Sequence, residues 1–150
     1  MEKEYLYLDD LQLGQRFVSD TYRVDEAQIK AFAREFDPQP FHLDEQAAKG
    51  SFFGGLAASG WHTAAITMRL LAVSGLPIAG GIIGASVELT WTKPVRPGSI
   101  LRVETEVLEV KPSRSRPERG MATVRSETKD QSGETVQVLV SKLVVPRRPV

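Results

Sequence analysis

The sequence has no cysteine, which excludes disulfide bonds, thiolate metal ligands and a cysteine nucleophile. Such a chain fits a reducing compartment, and a cytoplasmic location is expected. An excess of either charge is missing as well: Lys+Arg and Asp+Glu are 19 each, a formal net charge of zero with neutral histidines. Nucleic-acid binding and polybasic membrane anchoring both call for a basic excess, so neither partner is expected. Only residues 111–119 (KPSRSRPER) are locally basic, and they read as a solvated hairpin tip. No uninterrupted apolar run reaches the ~18 residues of a membrane-spanning helix. The acidic start MEKEYLYLDD has no apolar signal core. Internal repeats are absent too, so the 150 residues are expected to form one domain, 1–150, around one core.

What is present begins with periodicity. Residues 16–24 (RFVSDTYRV) read as a first strand. Asp25 follows as a helix N-cap, with Gln28 three positions on as in a capping box and Val24 placed to staple against Ile29. Ile29, Phe32, Ala33 and Phe36 recur at three- and four-residue spacing, one apolar face of an amphipathic helix. Pro38 stops it, because the residue before a proline is pushed out of the helical region, so Asp37 is expected extended at the helix exit. Pro38 and Pro40 stiffen the turn that carries His42. Asp44 is placed to cap a short helix through Lys49, with its end at Gly50. Phe52 and Phe53 are expected to face inward.

Residues 60–74 are helical again. Trp61, Ala64, Ala65, Met68, Leu71 and Ala72 share one face, while Ile66, Leu70 and Val73 lie elsewhere around the axis. A helix apolar on most sides is expected to be buried, with Trp61 and Met68 in the core. After Gly80 and Gly81 the period changes to alternation, and 82–92, 100–110, 121–129 and 135–145 read as strands separated by turn signals. In the second of these, Leu101, Val103, Thr105 and Val107 point one way and Arg102, Glu104 and Glu106 the other, one face on a core and one in water. Short links favour antiparallel pairing. The order predicts an α+β layer architecture, a sheet of about five strands curled around the 60–74 helix.

Both histidines, His42 and His62, fall between Phe32 and Met68. Asp37 and His42 are the acid–histidine pair on a short, proline-restricted turn. A carboxylate and an imidazole sharing a water are a workable general acid/base arrangement, given pKa values displaced toward neutrality. The start of the 60–74 helix supplies a complement: N–H groups near Gly60 and Trp61, at the positive end of the helix dipole, suit an oxyanion or enolate. Gly60 also lets a ligand approach the backbone closely. The same residues have plain structural readings. Asp37 satisfies backbone groups at a helix end, His42 is a hydrogen-bonded structural histidine, and Ser59 is an N-cap. His62 reads as a packing or supporting residue.

F-x-x-x-F-D-P-Q-P-F-H-L-D at 32–44 and F-F-G-G-L-A-A-S-G at 52–60 resemble the signature of the MaoC-like acyl dehydratases, which include the R-specific enoyl-CoA hydratases. The family pattern is roughly A-x-x-x-G-D-x-N-P-x-H-x-D, then F-G-x-x-I-A-H-G at the helix entrance. Its aspartate and histidine fall on Asp37 and His42, its second aspartate on Asp44, its proline on Pro40 and its helix glycine on Gly60. T-K-P-V-R-P-G at 92–98 is similar to the family's turn between strands. Phe36 stands where the family has glycine, Gln39 where it has asparagine and Ser59 where it has histidine. Gln39 keeps an amide with a longer reach, while Phe36 and Ser59 change the walls and polarity around the site.

The resemblance implies a hot-dog fold, an antiparallel curved sheet wrapped around a central buried helix. It implies reversible hydration of a trans-2-enoyl thioester to the (R)-3-hydroxyacyl thioester, as in fatty acid metabolism. Asp37 would act as base on a water held by His42. Gly60, with Ser59, Trp61 and Gln39 around it, would hold the thioester oxygen. No metal or redox cofactor is implied, coenzyme A being part of the substrate; the acyl group arrives on CoA or on a carrier protein. A homodimer or dimer of dimers is expected. Two alternatives stand beside this: a hot-dog acyl-CoA thioesterase, and a non-catalytic acyl-thioester binding domain.

Overall fold

Asp25 begins helix α1 (Glu26–Phe36) as a reciprocal capping box. Its Oδ1 accepts from the Gln28 N–H at 2.8 Å, and Gln28 Oε1 accepts from the Asp25 N–H at 2.9 Å. Such a cap stabilises the helix by about 1 kcal/mol. Val24 and Ile29, on either side of it, are completely buried in the core. These features belong to a computed structural model that describes residues 4–150; residues 1–3, which open the acidic N-terminal stretch, lie outside the described residues.

Two short helices follow, α2 (Pro40–Leu43) and α3 (Glu45–Lys49). His42 therefore sits on a helical turn rather than an irregular one. Pro40 at the first helical position has its φ set for this, and no N–H is lost there. Asp44 caps α3 by accepting from the Gln46 N–H at 2.8 Å, and α3 ends at Gly50 as expected. Helix α4 (Gly60–Leu70) runs on into a wider π-type turn, Leu71–Gly75.

The four long strands are β3 (Ile83–Trp91), β4 (Ile100–Pro112), β5 (Arg119–Lys129) and β6 (Thr135–Pro146). The expected first strand is two pieces, β1 (Arg16–Val18) and β2 (Tyr22–Arg23), which pair with the same edge of β4. Ser19 separates them: its hydroxyl accepts from the Val103 N–H at 2.8 Å, replacing a backbone partner and breaking the ladder. The pairings between these strands are all antiparallel, in the order β1-β4-β5-β6-β3 with β2 beside β4. The alternation expected along β4 is present, with Leu101, Val103, Thr105 and Val107 buried. At Gly120 an added Cβ would lie 2.6 Å from the backbone oxygen of Lys111 on the neighbouring strand, so only glycine admits that packing.

The curved sheet wraps α4, the hot-dog arrangement. Ile66 and Leu70 on α4 join Leu101, Val103, Val107, Val124 and Leu143 in one core. Burial of α4 all round is not what the chain shows. His62, Thr63, Ile66, Thr67 and Leu70 are buried, whereas Trp61, Ala65, Met68 and Ala72 are exposed. No described element covers that side, where Trp61 meets Trp91 of the exposed edge strand β3. Phe52, expected inward, is 98% exposed, and Phe36 also lies mostly in solvent. No described helix is long and apolar enough to cross a membrane.

Candidate active site

Asp37 is the residue on which α1 terminates. Its N–H still bonds to Ala33 O at 2.9 Å, but Pro38 turns the chain out, and the carboxylate swings toward the entrance of α4. There Ser59 donates its hydroxyl to Asp37 Oδ2 at 2.7 Å. Gln39 donates its amide to Oδ1 from two residues along the chain. His42, carried on α2, places Nε2 3.3 Å from the same Oδ2. The pair expected to converge does so.

The tautomer of His42 follows from its other nitrogen. Nδ1 lies 2.6 Å from the Ala57 carbonyl oxygen, which only accepts, so Nδ1 carries a proton. In the neutral ring Nε2 is then a bare lone pair facing a carboxylate. At 3.3 Å the two acceptors need a proton between them, or a water beside them that donates to both. Phe41 packs edge-on to the imidazole at 4.6 Å, and the ring is 4% exposed.

Burial is the largest single influence on the Asp37 carboxyl and pushes its pKa up. The Ser59 hydroxyl, the Gln39 amide and the charge of His42 together outweigh it, and the pKa lies below the ordinary 3.8. The displacement toward neutrality expected for the aspartate is thus reversed, because two neutral donors have been aimed at the ionised form.

A cavity of about 580 Å³ reaches both groups. Its wall includes Gln39, Phe53, Gly60, Thr63 and Trp91. Gly60 opens α4, and its N–H has no acceptor among the described residues. The Trp61 N–H, expected to be free beside it, is taken by Ser59 Oγ at 3.2 Å. Ser59 is therefore both the N-cap and a ligand of Asp37. Gly60 is glycine for a different reason from the one expected. A Cβ there would lie 2.4 Å from the Trp91 indole, so the space is filled by this chain's own tryptophan. Trp61 flanks the mouth, its ring edge-on to Trp91 at 5.3 Å. Phe36 and Asp44 are not part of the wall.

Two residues near the site were not singled out in the sequence, although Arg96 lies within the 92–98 turn. Arg96 spends its guanidinium on the carbonyls of Phe53, Gly55 and Leu56, bracing the loop that presents Ala57 to His42. Gln137 is a completely buried amide in β6, its Oε1 accepting from Trp91 Nε1 at 3.1 Å. A polar residue at an inward position of the otherwise apolar run TVQVLV was the available signal for it. His62 is buried and does not line the cavity; its ring stacks on Phe32 at 4.6 Å, with Nδ1 lacking a partner among the described residues. Among the described residues no three His, Asp or Glu side chains gather as a metal-binding group.

Residues 10–130 match the family described as MaoC like domain. The chain belongs to the MaoC-like dehydratase family. The structure is similar to that of the MaoC-like dehydratase from Rhodospirillum rubrum, with 63% identity and a TM-score of 0.95 over 97% of this chain and 99% of that one. It is similar also to R-hydratase PhaJ1 from Pseudomonas aeruginosa in its unliganded form, with 28% identity and a TM-score of 0.77 over 96% and 88% of the two chains. In sequence, 33% identity over 117 residues relates it to the 3-hydroxybutyryl-CoA dehydratase of Methylorubrum extorquens, covering 77% of this chain and 72% of that protein. The MaoC-like family includes hydratases. Within this MaoC-like domain, Ser59 stands at the position where the family signature has histidine, and it holds the carboxylate directly.

Proposed function

We propose that this MaoC-like domain, acting as one catalytic unit, adds water reversibly to a trans-2-enoyl thioester. The observation that carries the reading is the cavity in which Asp37 Oδ2 and His42 Nε2 stand 3.3 Å apart beside the N–H of Gly60. Asp37, ionised, takes a proton from a water that His42 Nε2 holds, and the oxygen adds to C3 of the enoyl group. The electron pair of the C2–C3 bond moves toward the thioester oxygen, which gains enolate character against the Gly60 N–H and the positive end of α4. The proton returns to C2, so that water is consumed whole and no redox partner is needed. Elimination follows the same path in reverse. Coenzyme A or a carrier arm is part of the substrate, and the chemistry asks for no metal.

The related hydratase and dehydratase named above support this reading. It is tested by hydration of crotonyl-CoA, followed as loss of enoyl absorbance. Asp37→Asn and His42→Ala are each expected to lower kcat/KM by about 10²–10⁴ with the fold intact. Full activity in both variants over a range of acyl lengths would overturn the assignment. Release of free thiol from acyl-CoA would instead identify a thioesterase, and saturable binding without turnover a binding domain.

The working form is a homodimer. Among the described residues strand β3 ends the sheet with one side unpaired; Ile83, Val87 and Trp91 on it are exposed, and Trp91 lies edge-on to the exposed Trp61 of α4. An open edge with an apolar face beside it is a template for a second copy. Light scattering at micromolar concentration is expected to give at least twice the chain mass; a clean monomer would contradict it.

A further inference from the structure

The cavity follows α4 inward as far as Thr63 and stops there. Thr67, one turn further on the same face, is completely buried and is not part of the wall. A run of hydrogen bonds closes the way. Trp91 Nε1 donates to Gly60 O at 3.0 Å and to Gln137 Oε1 at 3.1 Å. Gln137 Nε2 donates to Thr67 Oγ1 at 2.9 Å, and Thr67 donates to Thr63 O at 2.9 Å. The single hydroxyl proton of Thr67 is then used, so Thr128 Oγ1, 2.6 Å away, must be the donor of that pair. Thr67, Thr128 and Gln137 have no exposure at all. The indole cannot give way toward the helix either, because Gly60 lies directly against it.

We propose that the buried Gln137–Thr67–Thr128 network, braced on its outer side by the half-exposed Trp91 indole, forms the inner end of the acyl pocket, making the chain selective for short acyl thioesters. The inference rests on the reading of the cavity as an acyl-thioester site. A short acyl group fits between His42 and the indole. A longer one must push methylenes into a space whose walls are amides and hydroxyls already paired with one another. Parting them would leave donors and acceptors buried without partners, and methylenes cannot replace those bonds. Trp91 is thus a specificity-determining residue, held in place by Gln137.

The test uses the full chain with trans-2-enoyl-CoAs of four, six, eight and ten carbons, alongside calorimetric binding of the saturated butanoyl- and octanoyl-CoA. Once the acyl chain meets the indole, kcat/KM is expected to fall about 10-fold or more for each added methylene. Trp91→Ala is expected to raise the octenoyl-to-butenoyl ratio by about 10-fold or more. Gln137→Leu, which removes the anchor of the indole, should move the ratio the same way and serves if Trp91→Ala does not fold. A wild-type profile flat from four to ten carbons would overturn the inference while leaving the hydration reading standing. So would an unchanged ratio in folded variants. No hydration at any length, with butanoyl-CoA bound tighter than octanoyl-CoA, would uphold the short pocket and remove the hydration reading. Equal binding of the two, or none, in a chain without turnover would sink both.

Discussion

Ser59 Oγ donates to Asp37 Oδ2 at 2.7 Å and accepts from the Trp61 N–H at 3.2 Å, so one hydroxyl joins the entrance of α4 to the exit of α1. The bond does two things at once. It satisfies a donor at the helix start, and it stabilises the ionised form of the carboxylate. Removing it separates those effects.

Ser59→Ala is expected to raise the Asp37 pKa, because a donor that favoured the ionised form is gone. The acid limb of the kcat/KM profile for enoyl-CoA hydration should move to higher pH. Stability should fall by about 1 kcal/mol through loss of the cap. The depressed Asp37 pKa contributes stability that is present above 3.8 and is lost as pH falls through the folded-state value, and this acid-side loss should be smaller in the variant. An unmoved acid limb would show that the hydroxyl serves the helix alone.

Gly60→Ala places a methyl group 2.4 Å from the Trp91 ring. Overpacking of this kind is expected to lower stability by about 1–3 kcal/mol. In a Trp91→Ala background the same change should cost much less, since the obstacle has been removed. Urea denaturation of the four proteins checks this; an equal cost in both backgrounds would acquit the indole.

His62 is held neutral by burial, which lowers its pKa from 6.5. The unfolded chain binds the proton more readily than the folded one. Stability associated with His62 is therefore fully present above about pH 6.5 and is lost as the pH falls toward the folded-state value. His62→Phe keeps a ring on Phe32 and removes the unpartnered Nδ1. The variant should lose less stability than the wild type between pH 7.5 and 5, measured by chemical denaturation at each. Parallel losses in the two proteins would remove His62 as the source.

Val87→Lys puts a charge on the exposed edge strand, a device by which natural sheets avoid pairing. Its light-scattering mass is expected to drop to that of a single chain at micromolar concentration. A wild-type-like mass would place the contact between copies elsewhere.

Much of the fold was legible because local rules and global packing agree here. The capping box at Asp25 and Gln28, the stop at Pro38, the Asp44 cap and the alternation along β4 all lie where short-range chemistry puts them. Legibility ended where a side chain answers to residues distant in sequence. Phe52 and Met68 are apolar and were read as inward, but what covers an apolar group depends on which elements the topology supplies, and here none of the described elements does. Ser19 broke the first strand because its hydroxyl met Val103, 84 residues away.

The candidate site divides the same way. Asp37 and His42 are five positions apart on a proline-stiffened segment, so the sequence alone kept them near enough to converge; that they face each other was decided by Ser59 and the Ala57 carbonyl, which hold the two side chains from outside the segment. The tautomer of His42 and the direction of the Asp37 shift were decided only by the tertiary structure, because Ala57 and Ser59 reach them across a loop. The depth of the cavity was decided there too, by Trp91 and Gln137 arriving from strands β3 and β6. Short-range geometry is written in neighbouring residues, whereas electrostatic environment and enclosed volume belong to whatever the folded chain brings alongside.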